Sequence, residues 1–320
     1  MKHGEHYHCH PQVLLLGNGI NRAFGGGSWG GLIRSICCNP DVPPDCTLHL
    51  PMPLRAILVT GDCVDSQLRG AGEILYGKLG DPGHAEMLRS VLDLGFDHIL
   101  TTNFSYELEQ SARPELDLSD ALLRAMTRRA DGGAPEEELK YLLHSYCAVE
   151  RQGRITPVWH IHGEGRKSDS IILGHYYYAN LLERITTYLR GQAGRYAAAG
   201  RQGTLPEIRS WADAFLVGDV YMLGFGCDVS EFDLWWLLNR KKKEPTATGQ
   251  THFFAPEERL EPHALNEKEA LLRVLGVKIH HCGMLRPEGD PLQRSAGFRQ
   301  FYLRAIAELR RLMAANRGVT

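Results

Sequence analysis

Residues 13–28 read VLLLGNGINRAFGGGS, which is four consecutive aliphatic residues followed by a glycine-rich turn. An apolar run without alternation is typical of a parallel strand that is buried on both faces. Ser28 is placed to cap a helix that begins near Trp29. The stretch therefore predicts a strand, a turn and a helix, the repeating unit of a parallel α/β sheet.

Short apolar segments continue to alternate with segments of helical periodicity along the chain. Further strands are predicted at residues 98–103, 155–161, 220–223, 251–254 and 277–280. Strands that alternate with helices favour parallel pairing with right-handed crossovers. We expect an α/β protein with a Rossmann-like, doubly wound and mostly parallel sheet.

Helical patterns fill most of the remaining chain. Residues 56–59 fit a strand and a helix equally well. We expect a flexible tail at residues 1–12 and a single domain at residues 13–320, with helical insertions at about 104–150 and 175–215. Helices are predicted near residues 64–78, 85–94, 106–110, 118–129, 136–149, 181–215 and 268–275, with an amphipathic helix at the C-terminus.

The composition excludes several classes of protein. With 43% hydrophobic and 23% charged residues, the chain of 320 residues is neither disordered nor a coiled coil. It has no apolar run of about 20 residues that could span a bilayer and no signal-peptide pattern. We therefore expect a cytoplasmic protein without membrane association, with reduced cysteines. A net charge of -2 gives no reason to expect nucleic acid, and the basic run 240–243 fits the solvated end of a helix.

Four predicted strands end in residues that a simple turn does not require. In an open parallel sheet, ligands bind beyond the carboxyl ends of the strands. A buried Asn or His at such a position indicates a binding site there. The four segments are Gly17-Asn18-Gly19, Thr101-Thr102-Asn103, His160 to Gly163 and Gly224-Phe225-Gly226.

The first glycine segment has two interpretations. Glycines let the backbone approach a pyrophosphate, and the helix that follows offers free N–H groups. However, the dinucleotide motif requires a glycine at position 22, where this chain has Arg22. A tight strand-to-helix turn explains the glycines equally well, and Arg22 could instead supply charge for a diphosphate.

Asn103 and the two histidines are the candidates for polar chemistry. The Asn103 amide can hold a ribose hydroxyl or a water, although an N-cap for the following helix is the simpler explanation. His162 can act as a general base near neutral pH, and His160 lies two residues earlier, so that one histidine can support the other. A structural histidine at this strand end is an equally good explanation.

The His-x-His pattern also fits a metal site, because two imidazoles on one strand face can bind zinc. No further ligand lies at a matching spacing, and the N-terminal cluster is better explained as a mobile tail. A catalytic serine or cysteine nucleophile has even less support than a metal site, because the chain lacks a G-x-S-x-G elbow. That N-terminal cluster consists of His3, His6, His8, Cys9 and His10.

Taken in order, the four segments resemble those of the sirtuin-like superfamily of NAD-binding proteins. The similarity spans about residues 13–285 and looks closest to bacterial sirtuin-like domains of antiphage defence. It is carried by GNGINRAF, LTTNFSYELE, WHIHGE and the LGFG segment. The chain departs from deacylating sirtuins because it has no Cys-x-x-Cys pair for their zinc module, and Ser105 stands where the family has Asp.

The resemblance implies a pocket that binds NAD+ as a substrate and cleaves its nicotinamide–ribose bond, with no metal. Asn103 would position the ribose hydroxyls or the attacking water, and His162 would be the general base. Without an acyl-lysine acceptor, water would complete the reaction and release ADP-ribose and nicotinamide. The residues implied in NAD binding are Gly17, Asn18, Gly19, Asn21, Arg22, Thr102, Ser105, Gly163, Gly224, Phe225 and Gly226.

In the defence setting such cleavage depletes cellular NAD+, so the activity must be gated. We expect a homo-oligomer and a separate partner protein or signal as the activator. Trp235 and Trp236 fit an interface, although core packing is the better explanation. Two alternatives remain: a non-catalytic module that binds NAD or ADP-ribose, and a metal-dependent hydrolase that uses His160 and His162.

Overall fold

The β-strands form one sheet of eight strands in the computed structural model. The model describes residues 9–43, 46, 48–61, 63, 66–68, 77, 79–113, 118–138, 140–244, 248–257, 266–283 and 291–316. The strands are β1 (Gln12–Leu16), β2 (His98–Thr101), β3 (Thr127–Arg129), β4 (Ser145–Arg151), β5 (Arg154–His160), β6 (Asp219–Leu223), β7 (Thr251–Ala255) and β8 (Val277–His281).

The sheet order is β3-β4-β5-β2-β1-β6-β7-β8. The six strands from β5 to β8 in this order pair in parallel, and only β3 and β4 are antiparallel. The predicted doubly wound, mostly parallel α/β fold is confirmed. Because the chain moves outward from β1 first to one side and then to the other, the strand order reverses at β1. Ligands bind at such a switch point, beyond the carboxyl ends of the strands.

Helices cover both faces of the sheet. The longest described helices are α7 and the C-terminal α12. The helices are α1 (Gly19–Ala23), α2 (Trp29–Ser35), α3 (Met52–Thr60), α4 (Pro82–Leu92), α5 (Glu107–Ala112), α6 (Asp120–Met126), α7 (His175–Gly191), α8 (Ala193–Gln202), α9 (Trp211–Val217), α10 (Phe232–Lys243), α11 (Glu267–Val274) and α12 (Pro291–Asn316).

Strand β1 explains why the apolar run VLLL has no alternation. Val13 and Leu15 pack into a core formed with α7, α9 and α10, whereas Leu14 and Leu16 pack into a second core with α4 and α12. Each side chain of the run is therefore buried on one face or the other. Trp235 and Trp236 are half-buried against the first of these cores, in agreement with the core-packing explanation.

The predicted helix at residues 136–149, and with it a purely helical insertion at 104–150, is wrong. The insertion contains α5 and α6, but it ends in the antiparallel strands β3 and β4. Burial alternates along Ser145–Val149, which is the period of a strand that is covered on one face. Gln152 and Gly153 have φ of 51° and 75° and form the tight turn into β5. The second insertion is helical, as predicted, with α7, α8 and α9.

Other sequence-based predictions have mixed outcomes. Residues 56–59 lie in helix α3, whereas most of the helix predicted at 64–78 lies outside the described residues. Residues 1–8 of the predicted tail, including His3, His6 and His8, also lie outside them. The end of that tail is ordered into the fold, because Gln12 begins β1 and His10 Nδ1 lies 2.7 Å from the Val217 carbonyl oxygen.

The basic run at the end of α10 is not solvated throughout. Lys241 is buried, and its Nζ donates to the carbonyl oxygens of Phe215 at 2.9 Å and Gly218 at 2.6 Å. Its neighbours in the run are exposed, as predicted. Among the helices in the described part of the chain, none combines the length and apolar character needed to cross a membrane.

Candidate active site

The glycine segments after β1 and β6 lock together through their main chains. The Gly17 N–H donates to Leu223 O at 3.0 Å, and the Gly19 N–H donates to Gly224 O at 2.9 Å. These two amides are therefore not free to hold a phosphate. The contact favours the tight-turn explanation of the first glycine segment, and it forms a floor of backbone atoms at the switch point.

A side chain at position 17 should destabilise this floor. A Cβ on Gly17 would lie only 2.6 Å from the Phe225 Cα, and main-chain atoms cannot swing away. We expect Gly17→Ala to lower the free energy of unfolding by about 1–3 kcal/mol, measured by urea denaturation. Gly27→Ala is the control, because its Cβ would meet no atom within 4 Å. Equal stabilities of the two variants would contradict this packing.

The polar residues after Gly17 have separate roles. Asn18 Nδ2 donates to Gly27 O at 2.7 Å and closes the loop. Asn21 is buried, and its Oδ1 lies 3.0 Å from Nε2 of His84 on α4, so it holds α1 against α4 and does not face the crevice. Arg22 is exposed at the end of α1.

Asn103 is held in place by its main chain. Thr101 Oγ1 donates to Leu16 O at 3.0 Å and accepts from the Asn103 N–H at 3.1 Å. Helix α5 begins only at Glu107, after Tyr106, so Asn103 does not cap it and the N-cap explanation is wrong. Asn103 is 9% exposed, and its Oδ1 has no hydrogen-bond partner among the described residues. A buried amide oxygen without a partner is costly, so the side chain is set up to bind a group that the protein does not supply.

The neighbours of Asn103 are less available. Thr102 is buried. Ser105 is half-buried, and its side chain hydrogen-bonds the Glu107 carboxylate. Burial raises the pKa of Glu107, and this hydrogen bond opposes the shift. Ser105 is therefore engaged with an acidic side chain two residues later in the chain.

His160 supports the Asn103 loop. Its Nδ1 donates to Asn103 O at 2.7 Å, and its Nε2 lies 2.9 Å from Glu109 Oε1. Both partners are acceptors, so both ring nitrogens carry protons and the ring is an imidazolium. Burial by itself would lower the pKa of His160, but the charge of Glu109 and its hydrogen bond raise that pKa to about 9. His160 has no nitrogen left to accept a proton.

His162 lies beyond the end of β5 and contacts different residues. It is fully buried, with 0% exposure; its Nε2 lies 2.9 Å from Asp233 Oδ2, and its ring meets Tyr178 edge-on. Nδ1 lies 3.5 Å from Glu231 Oε2 and has no hydrogen-bond partner among the described residues. Burial by itself would lower the pKa of His162, but the charges of Asp233 and Glu231 raise it above the usual value. Of the two histidines, only His162 has a nitrogen that a substrate could reach by replacing a neighbour.

Gly163 and the segment after β6 complete the edge of the sheet. Gly163 has a φ of 93°, and a Cβ on it would lie 2.7 Å from the Ile171 Cα. Gly224 has a φ of 65°. Phe225 is buried in the core beside α10, and Gly226 is exposed. These residues shape the backbone around the two candidate catalytic side chains.

Glu231 and Asp233 were not assigned a role from the sequence. Their signal is a group of acids, Asp228, Glu231 and Asp233, that closely follows a strand ending at the switch point. His162, Glu231 and Asp233 have ligand-type atoms within 4.8 Å of one another, and these residue types bind divalent cations. The two carboxylates approach opposite nitrogens of the ring, and only the contact of Asp233 with Nε2 is a hydrogen bond. His160 uses different partners, so it does not pair with His162 as a ligand.

Comparison with known proteins assigns the chain to no family. No protein-family model matches it, and no curated protein is significantly similar to it. The proposed function therefore rests on the geometry at the carboxyl edge of the sheet and on the motifs in the sequence.

Proposed function

We propose that the protein is an NAD+ glycohydrolase that releases ADP-ribose and nicotinamide. The observation that carries the proposal is the pair of Asn103 and His162 at the carboxyl edge of adjacent strands. Each has a fully buried polar atom without a hydrogen-bond partner among the described residues: Oδ1 of Asn103 and Nδ1 of His162. Such atoms are typical of a site that is completed by its substrate.

The reaction requires little from the protein beyond position and one base. The C–N bond between ribose and nicotinamide breaks with both electrons going to the nicotinamide nitrogen, which leaves as neutral nicotinamide. Water then bonds to the ribose carbon and loses a proton to His162. Asn103 orients that water or the ribose hydroxyls. A positioned general base typically contributes about 10²–10⁴-fold to such a step.

The remaining contacts to NAD+ follow from the sequence resemblance and the position of the loops. Exposed Arg22 lies beside the β1 loop and supplies positive charge for the diphosphate. Thr102, Ser105 and the glycine segments after β1, β5 and β6 surround the ribose. Asn21, whose side chain is tied to His84, acts as a support for α1 and not as a ligand.

The complete burial of His162 supports a gated activity. His162 lies beneath Glu231 and Tyr178 with no exposed surface, so NAD+ must displace this cover to reach the ring. We propose that a partner protein, a signal or assembly into a homo-oligomer opens it. In this reading the protein is a cytoplasmic effector of bacterial antiphage defence that depletes NAD+ once triggered.

The direct test is NAD+ consumption by the purified protein, with nicotinamide and ADP-ribose separated by chromatography. Cleavage by the wild type that is lost in Asn103→Ala establishes the activity. NAD+ binding is measured alongside by calorimetry: binding without cleavage by the wild type leaves a gated enzyme without its trigger or a sensor of NAD or ADP-ribose, and no binding overturns the proposal. The third measurement is the metal content of the purified protein. A stoichiometric divalent ion, with activity lost in chelator, would favour the metal-dependent hydrolase instead.

A further inference from the structure

The two nitrogens of His162 have different surroundings. On the Nε2 side, Asp233 lies at 2.9 Å with a carboxylate that is itself 0% exposed. An ionised carboxylate only accepts hydrogen bonds, so this contact requires a proton on Nε2. On the Nδ1 side, the nearest acid is Glu231, whose oxygen at 3.5 Å makes no hydrogen bond.

Asp233 lies where a helix favours an acidic side chain. It lies in the first turn of α10, a helix of twelve residues. The free N–H groups and the dipole at a helix N-terminus stabilise a negative charge there. Its Oδ2 faces the imidazole, and its Oδ1 has no hydrogen-bond partner among the described residues. The first turn of α10 therefore holds a carboxylate against one side of His162.

We propose that Asp233 is a positioning residue that holds His162 with its proton on Nε2, so that the Nδ1 lone pair faces the substrate. The catalytic role in this inference rests on the proposed function, whereas the position of the proton on His162 does not. In the reaction, Nδ1 takes the proton from the attacking water, and the charge of Asp233 stabilises the imidazolium that forms. The relationship is that of an acid orienting a general base, known from serine hydrolases, placed here at the switch point of a doubly wound sheet.

Among the described residues, three groups face the ring: Asp233 from α10, Glu231 from the segment before it, and Tyr178 from α7. Both acids raise the pKa of His162, and burial raises the pKa of Glu231 to about 7. His162 must lose its proton before it can act as a base, so activity should rise with pH through the pKa of the ring. Without the charge of Asp233 that pKa falls, and the rise moves to lower pH.

The test compares Asp233→Asn with Asp228→Asn, an exposed acid five positions earlier that bonds Ser230 and does not face the imidazole. We expect Asp233→Asn to lower kcat by about 10²–10⁴-fold. We also expect it to change KM for NAD+ by less than about threefold, because the lost interaction is made with the base and not with the substrate. The rise of activity with pH should move to lower pH. Asp228→Asn removes a charge that raises the pKa of Glu231 but does not act on the ring itself, so it should keep the wild-type kcat. Unchanged kcat and pH profile in a folded Asp233→Asn protein would overturn the proposal.

A second measurement does not depend on turnover. In protein labelled with 15N-histidine, NMR reports which nitrogen of neutral His162 carries the proton, with His162→Gln used to assign the signal. We expect the proton on Nε2 in the wild type and a lower pKa in Asp233→Asn. A proton on Nδ1 in the wild type overturns the proposal, even if the variant does not fold. If the NMR result holds and the wild type does not bind NAD+, the positioning stands and the proposed function fails.

Discussion

We expect that replacing His162 lowers the turnover number for NAD+ cleavage by about 10²–10⁴-fold, which is the usual contribution of a general base. The reason is geometric: Nδ1 of His162 has no hydrogen-bond partner among the described residues, and it lies just beyond the carboxyl end of β5, the strand beside β2. The measurement is kcat for nicotinamide release at saturating NAD+.

Two variants separate catalysis from folding. His162→Ala leaves Asp233 and Glu231 facing a cavity without a counter-charge, whereas His162→Gln retains a donor for Asp233. Both should lose activity, and the glutamine variant should keep more stability. His281→Ala is the matched control, because His281 lies on β8 at the far edge of the sheet. Wild-type turnover in folded His162→Gln would contradict the assignment.

For His160 we expect the largest effect on stability. Removing one partner of a buried ion pair costs about 3–5 kcal/mol, because the other charge is left without compensation. His160 is 3% exposed and is held by Glu109 and by the carbonyl of Asn103. His160→Ala should therefore lower the free energy of unfolding by about that amount, measured by urea denaturation near pH 6.

The effect should depend on pH in a defined direction. Folding raises the pKa of His160 from 6.5 to about 9, so its charge stabilises the fold fully below pH 6.5. That contribution is lost as pH rises through about 9, and the gap between wild type and variant should shrink accordingly. A double-mutant cycle of His160→Gln with Glu109→Gln measures the coupling directly. A gap that does not change between pH 6 and 9.5 would contradict the ion pair.

The sequence was enough to predict the architecture. The run VLLL indicated a strand buried on both faces, and the polar strand ends indicated the edge where a ligand binds; β1 and the switch point agree with both. The hairpin of β3 and β4 was missed because short segments with scattered apolar residues also fit helical spacing. In β4, the alternation of buried and half-buried residues that identifies a strand depends on which face of the sheet the rest of the protein covers.

The roles within the site could not be separated by sequence alone. His160 is the last residue of β5, and His162 falls where the chain leaves the strand, so period-two alternation does not apply to it. Their partners are Glu109, 51 positions before His160, and Asp233, 71 positions after His162. Contacts over such separations depend on the tertiary fold. For the same reason Asn103 looked like a helix cap until the actual start of α5 was known.

The main-chain contact between the loops of Gly17 and Gly224 also bears on how such a protein can diversify. A floor made of backbone atoms has no side chains to exchange, so mutation there can only damage it. New triggers or substrates must arise instead in the segment around Glu231, residues 228–232, which contacts His162 through that side chain. Val229 and Phe232 of that segment are 70% and 45% exposed and can change without disturbing the core. Related proteins that share this floor should therefore differ most in that segment.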